Sequence, residues 1–194
     1  MEKIITHGIK DSEFIRGEVP MTKEEVRIIS ISKLELTENS ILYDIGSGTG
    51  SIAIESAQLS PSINVFAIEA NPIAVDLIRQ NKEKFKADNI EIIEGFAPSV
   101  LESLPIPTHA FIGGTKGNLK SILETLYKKN PKMRIVMNAI SLESISEMAD
   151  ASKTFRIVND EVIQVAISKA NKIGNYHMMQ ANNPVFIFSF NFAG

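Results

Sequence analysis

Cysteine is absent from the 194 residues, which excludes disulfides, thiolate zinc sites, iron–sulfur clusters and every mechanism with a cysteine nucleophile. Long apolar runs are absent as well. Nothing approaches the roughly 18 residues of a membrane span, and the N-terminal MEKIITHGIKDSEFIRG lacks the continuous apolar core of a signal peptide. A cytoplasmic location is therefore expected, with no membrane partner. No charge of one sign dominates: 20 basic and 23 acidic side chains leave a formal net charge of -3, with no global attraction to nucleic acid. Any polyanion must be met by a local patch. Internal repeats, low-complexity tracts and long Pro/Gly/Ser linkers are also missing.

What remains is the composition of an ordinary globular chain, 44% hydrophobic and 22% charged, at a length that fits a single domain spanning residues 1–194. After an irregular start, Met21-Thr22-Lys23-Glu24-Glu25 reads as a helix entry with Thr22 as N-cap and Glu25 as its capping-box partner, so residues 1–38 form an N-terminal cap segment and helix. Ile41 to Ile45 is a short apolar strand that runs into a glycine-rich turn, and helical spacing resumes at Ser51. A second strand ends at Glu69. Asn71-Pro72 then opens a helix predicted to reach Phe85, because asparagine caps and proline suits the first helical position.

Further strands are predicted at 90–93, 110–112 and 134–137, with helical segments at 119–126 and 142–148 between them. This alternation implies a doubly wound, mostly parallel α/β sheet with helices on both faces. The end of the chain differs: 157–167 and 185–192 have no helix between them and predict an antiparallel pair at the sheet edge, giving seven strands with an antiparallel C-terminal one. Residues 168–183 between them read as a long loop, and a loop of that length in a compact domain is usually functional.

Asp44-Ile45-Gly46-Ser47-Gly48-Thr49-Gly50 lies where doubly wound sheets bind nucleotides, at the carboxyl end of the first strand of the alternating pattern. Glycines there let the backbone turn sharply and approach a ligand without a Cβ in the way. The spacing is G-x-G-x-G, one residue short of the dinucleotide fingerprint, and there is no P-loop. Glu69 follows Gly50 by 19 residues at the end of the second strand. There it is either a ligand for both hydroxyls of a ribose or a solvated loop acid.

The string D-x-G-x-G-x-G with an acid ending the second strand resembles the S-adenosylmethionine-dependent methyltransferases with a Rossmann-like core. The resemblance implies a cofactor site at Thr22, Asp44, Gly46, Ser47, Gly48, Thr49, Gly50 and Glu69, with adenine near Phe96 and Ala97. Asp44 either orients the amino-acid end of the cofactor or is a structural strand-end aspartate. The chain lacks the N-P-P-[YF] motif of many amino-methyltransferases and has Phe111-Ile112-Gly113-Gly114 at the fourth strand instead.

Gly8-Ile9-x-Asp11-x-x-Phe14, Val19-Pro20-Met21-Thr22-Lys23, Phe111-Ile112-Gly113-Gly114, Asn138-Ala139, His177-Met178-Met179 and Asn183-Pro184-Val185-Phe186 together resemble the decarboxylating carbon-15 methyltransferases of cobalamin synthesis. That narrower resemblance implies methyl transfer to carbon 15 of precorrin-6B or its cobalt complex, with loss of the ring-C acetate carboxyl, and no resident metal. It implies His177 and Lys116 as catalytic candidates and Arg16, Lys23, Gly113, Gly114, Asn138 and Lys169 as tetrapyrrole contacts. Each of the cations has the plainer reading of a solvated loop residue, His177 that of a packed loop histidine, and Met178 and Met179 read as packing. A homotetramer and a carbon-5 methyltransferase partner are implied too. Two other functions fit the same core: a tRNA adenosine methyltransferase, with Lys128-Lys129-Asn130-Pro131-Lys132-x-Arg134 as RNA patch, and a non-catalytic S-adenosylmethionine-binding partner.

Overall fold

Strand β1 (Ile41–Ile45) is buried along most of its length on both faces, the pattern of a central strand in a parallel sheet covered by helices on either side. A computed structural model describes residues 6–194; residues 1–5 of the expected N-terminal segment lie outside the described residues. Around β1 are β2 (Asn64–Glu69), β3 (Ile90–Glu94), β4 (His109–Ile112), β5 (Arg134–Ala139), β6 (Ile157–Val165) and β9 (Val185–Phe192). They make one seven-stranded sheet in the order β3-β2-β1-β4-β5-β9-β6. Only β9 runs against the others, pairing antiparallel with both β5 and β6. The sheet is the expected Rossmann-like one.

The two faces carry separate cores because side chains alternate along each strand. Tyr43 and Ile45 point to one face, where they pack with α4 (Leu119–Lys129) and α5 (Leu142–Thr154). Leu42 points to the other, toward α1 (Glu24–Leu34), α2 (Ser51–Ala57) and α3 (Pro72–Phe85). The Asn71 side chain caps α3, accepting the Ile73 amide at 3.0 Å as predicted.

Two local expectations need correction. Thr22 is not the N-cap of α1: the helix begins at Glu24 after Lys23, and the Asp11 carboxylate accepts the Glu24 amide at 2.9 Å. A stronger, charged acceptor from a distant segment thus replaces the local hydroxyl. Residues 168–183 are not an irregular loop either. They fold as a separate hairpin of β7 (Ser168–Ile173) and β8 (Tyr176–Ala181), closed by a two-residue turn at Gly174-Asn175 and exposed on every residue of both strands. Main-chain pairing satisfies the backbone there without core burial.

Candidate active site

A cavity of about 550 Å³ opens at the carboxyl ends of β1, β2, β4 and β5, a size within the usual range for small-molecule sites. Its polar floor is made by Gly46, Ser47 and Gly48 after β1, Glu69 ending β2, Gly113 and Gly114 after β4, and Asn138 near the end of β5. One wall is the N-terminal stretch Val19 to Lys23 together with Val26. The opposite wall is Ile140 with the base of the exposed hairpin: Val165, Ile167, Asn182, Asn183 and Val185.

The glycines are required by close approach. Gly46 has φ +73°, and a Cβ there would lie 2.7 Å from the carbonyl oxygen and 2.8 Å from the nitrogen of Gly114. Gly48 has φ +60°, and its Cβ would meet the Pro20 carbonyl oxygen at 3.0 Å. The loop is therefore clamped between the β4 turn and the N-terminal segment.

Glu69 is held by three backbone donors. Gly48 donates to its Oε2 at 2.9 Å, and Ala70 and Asn71 donate to its Oε1, each at 2.9 Å. The carboxylate thus ties the glycine loop to the end of β2 while lining the cavity. Asn138 is oriented from behind, its Oδ1 accepting the Ser30 hydroxyl at 3.1 Å, which leaves Nδ2 buried without a partner. An unpaired amide donor at a cavity wall is a ready contact for an acidic or carbonyl group.

Asp44 sits beneath the loop rather than in the cavity. It is fully buried on the face of α2, where its Oδ2 accepts the Ser47 hydroxyl at 2.5 Å and the Ala53 amide at 3.1 Å. Burial, aided by the nearby charge of Glu69 and opposed by those two hydrogen bonds, pushes its carboxyl up to about 7. Asp44 therefore acts on any ligand through Ser47 and the loop. Thr49 and Gly50 also lie outside the cavity: Thr49 is buried, and Gly50 lets the start of α2 approach Ile78.

Of the remaining expected residues, Thr22, Lys23, Gly113, Gly114, Lys116 and Asn138 line the large cavity. Phe96 and Ala97 line a second, much smaller cavity of about 40 Å³ that shares Gly46, Glu69, Gly114 and Lys116 with it. Arg16, Lys169 and His177 line neither. Arg16 is exposed on the N-terminal segment. Lys169 is bound to Glu25 on α1 at 2.6 Å, a contact that holds the Glu25 carboxyl below its ordinary range. His177 pairs with Lys172 near the far end of the hairpin, four ladder positions from the base pair Ser168–Ala181, or about 13 Å along the strand. The basic stretch near Lys128 is engaged structurally in part: Lys129 donates to the Leu104 carbonyl at 2.8 Å and buried Arg134 to the Lys33 carbonyl at 2.9 Å, while Lys128 and Lys132 are exposed.

The sequence reading missed a buried ionic cluster that positions one cavity wall. Arg27 of α1 is fully buried and contacts Glu55 of α2 at 2.7 Å and Asp11 at 3.2 Å, with further bonds to the carbonyls of Ile9 and Thr22. Glu55 also accepts the Gly8 amide at 2.9 Å. The cluster fastens the N-terminal segment across the top of α1 and α2 and so fixes the approach to Val19 to Lys23. Its one sequence signal was Glu55, the single charge in the seven-residue apolar helix α2.

Comparison with known proteins accounts for almost the whole chain. Residues 13–191 match the family described as "Precorrin methyltransferase domain". The cobalt-precorrin-6B C(15)-methyltransferase (decarboxylating) of Salmonella typhimurium is 37% identical over 183 residues, covering 93% of this chain and 94% of that protein. The precorrin-6y C5,15-methyltransferase of Geobacter metallireducens superposes with a TM-score of 0.89 at 36% identity, over 95% of both chains. The precorrin 8W decarboxylase of Methanobacterium thermoautotrophicum gives a TM-score of 0.85 at 30% identity, over 94% of this chain and 98% of that one.

Proposed function

The chain belongs to the precorrin methyltransferase domain family, and from that premise we propose that it methylates carbon 15 of precorrin-6B or its cobalt complex and decarboxylates the ring-C acetate, in cobalamin biosynthesis. The observation that carries this reading is the near full-length match to decarboxylating carbon-15 enzymes, joined to a cavity whose polar groups lie on the matched residues.

S-adenosylmethionine, the donor in this reading, supplies an electrophilic methyl group. The residues present suit it: a loop with no room for a Cβ at Gly46 or Gly48, a carboxylate at Glu69 where a ribose would lie, and the orphaned amide nitrogen of Asn138. Glu69 would accept the ribose hydroxyls while keeping the loop in register through Gly48. Transfer to a ring carbon depends on in-line alignment more than on acid–base power, so a loop clamped by Gly114 and Pro20 does much of what the reaction needs.

Among the described residues, Lys23 and Lys116 are the cations at the cavity, placed to meet peripheral carboxylates of a tetrapyrrole. Met21, Val26, Ile140, Val165, Ile167 and Val185 give it apolar walls. Such walls favour loss of carbon dioxide, because a carboxylate drawn out of water gives up a charge that is no longer solvated. The placement of His177 supports no direct contact with a ligand in this cavity from the same chain. Ile173, Tyr176, Met178 and Met179 of the exposed hairpin are open to solvent, a surface suited to self-association, and a homotetramer is the expected assembly. A carbon-5 methyltransferase is the expected partner, and the cytoplasm the expected location.

Incubation with S-adenosylmethionine and either cobalt-loaded or metal-free precorrin-6B tests the reading. One enzyme should transfer the methyl and release carbon dioxide in equal amounts; methylation without carbon dioxide would overturn the decarboxylating role.

A further inference from the structure

The two cavities share Lys116, and the smaller one is too small for a base. At about 40 Å³ it holds roughly three waters, given that one water needs about 10–15 Å³ by this measure, whereas a purine has ten ring and substituent atoms. Its open side is formed by the Phe96 ring, 58% exposed, and by Lys116, whose ammonium lies 5.0 Å from the ring centroid. The contact is a cation–π pair across the face that a stacking base would take. Among the described residues no carboxylate pairs with Lys116, so this ring is the partner that holds it. The lysine stands on a turn with φ +48°, followed by Gly117 at φ +81° with open space around it, and it lines the large cavity as well.

We propose that Lys116 is a gate between the purine slot and the tetrapyrrole cavity. It covers Phe96 when the slot is empty, is displaced by a base stacking there, and then presents its ammonium to a carboxylate in the large cavity. Binding of the nucleoside end and capture of the polycarboxylate substrate are thereby coupled, and the coupling is reciprocal. The inference rests on the reading that the donor's adenine enters beside Phe96.

Calorimetry with S-adenosylhomocysteine, which carries no sulfonium charge to repel the lysine, tests the gate. Lys116→Met keeps the stem and removes the charge; it should tighten binding about two- to fivefold, the worth of an exposed cation–π contact. The same variant should raise KM for precorrin-6B. A merely structural role would weaken both ligands, so the opposite signs are the signature. In a Phe96→Leu background the gain from Lys116→Met should vanish, because the partner ring is gone. If the unaltered protein binds S-adenosylhomocysteine but Lys116→Met leaves its affinity unchanged or weaker, the gate is overturned; if the unaltered protein does not bind it at all, the methyltransferase reading falls with it.

Discussion

The guanidinium of Arg27 and the carboxylate of Glu55 meet at 2.7 Å with both side chains out of solvent, joining α1 to α2 beneath the N-terminal segment. A buried pair of this kind is costly to break from one side, since the remaining charge is stranded in a low-dielectric interior.

Arg27→Met is accordingly expected to lower the unfolding free energy by about 3–5 kcal/mol. Arg27→Met combined with Glu55→Leu should recover part of that loss, because no lone charge is left buried. Urea denaturation of the two variants makes the comparison. A double variant no more stable than the single one would show that the carbonyl and amide contacts, and not the charge pair, hold the segment.

Asp44 gives stability an unusual pH dependence. Its folded carboxyl is raised from 3.8 to about 7, so between those values the folded state holds a proton that the unfolded state has lost. Stability from this group therefore falls as pH rises through that window, at up to about 1.4 kcal/mol per unit, with the cost complete above pH 7. Asp44→Asn retains an acceptor for Ser47 and Ala53 without the charge, and should gain on the wild type as pH rises from 4 to 8. Thermal melts across that range would show parallel curves if Asp44 were ionised throughout.

Gly46→Ala and Gly117→Ala separate steric contact from backbone strain. Both positions have positive φ, but a Cβ at Gly46 strikes the Gly114 backbone whereas one at Gly117 meets nothing within 4 Å. Gly117→Ala should cost about 1–2 kcal/mol of stability and leave the cavity intact. Gly46→Ala should cost more and abolish S-adenosylmethionine binding, as read by calorimetry.

Glu69→Ala should weaken S-adenosylmethionine about tenfold or more, the loss of hydrogen bonds to a charged acceptor together with the Gly48 tether. Unchanged affinity would remove Glu69 from the ribose role. Glu69→Gln keeps one acceptor oxygen and should fall between the two.

Polar replacement of Ile173, Tyr176, Met178 and Met179 should convert an oligomer to monomers without unfolding the chain, because all four are exposed and none belongs to either core. Light scattering reads the mass and circular dichroism the fold. A monomeric wild type would overturn the tetramer directly.

Much of the architecture was legible locally. Strands such as Ile41–Ile45 are mostly apolar and buried on both faces and stop at glycine, and Asn71-Pro72 caps and starts a helix by chemistry confined to neighbouring residues. The exposed hairpin was not legible as strands because its residues bury nothing, and burial is what writes periodicity into a sequence. Gly174-Asn175 was the available turn signal, a pair suited to a two-residue hairpin loop. Thr22 misled for a related reason: a capping box is a local pattern, and the acceptor in use came from Asp11, 13 residues before the amide it binds.

The sequence by itself determined the order along the chain of the seven sheet strands and their helices, the glycine loop at the end of β1 and the acid at the end of β2, since turn chemistry and side-chain alternation act over a few residues. Tertiary structure alone decided which of the marked residues share a cavity. It put Asp44 under the loop, carried His177 to the far end of a hairpin, and buried Arg27 against Glu55. Those outcomes depend on contacts between residues far apart in the chain, where packing and desolvation, rather than local propensity, set the position of each charge.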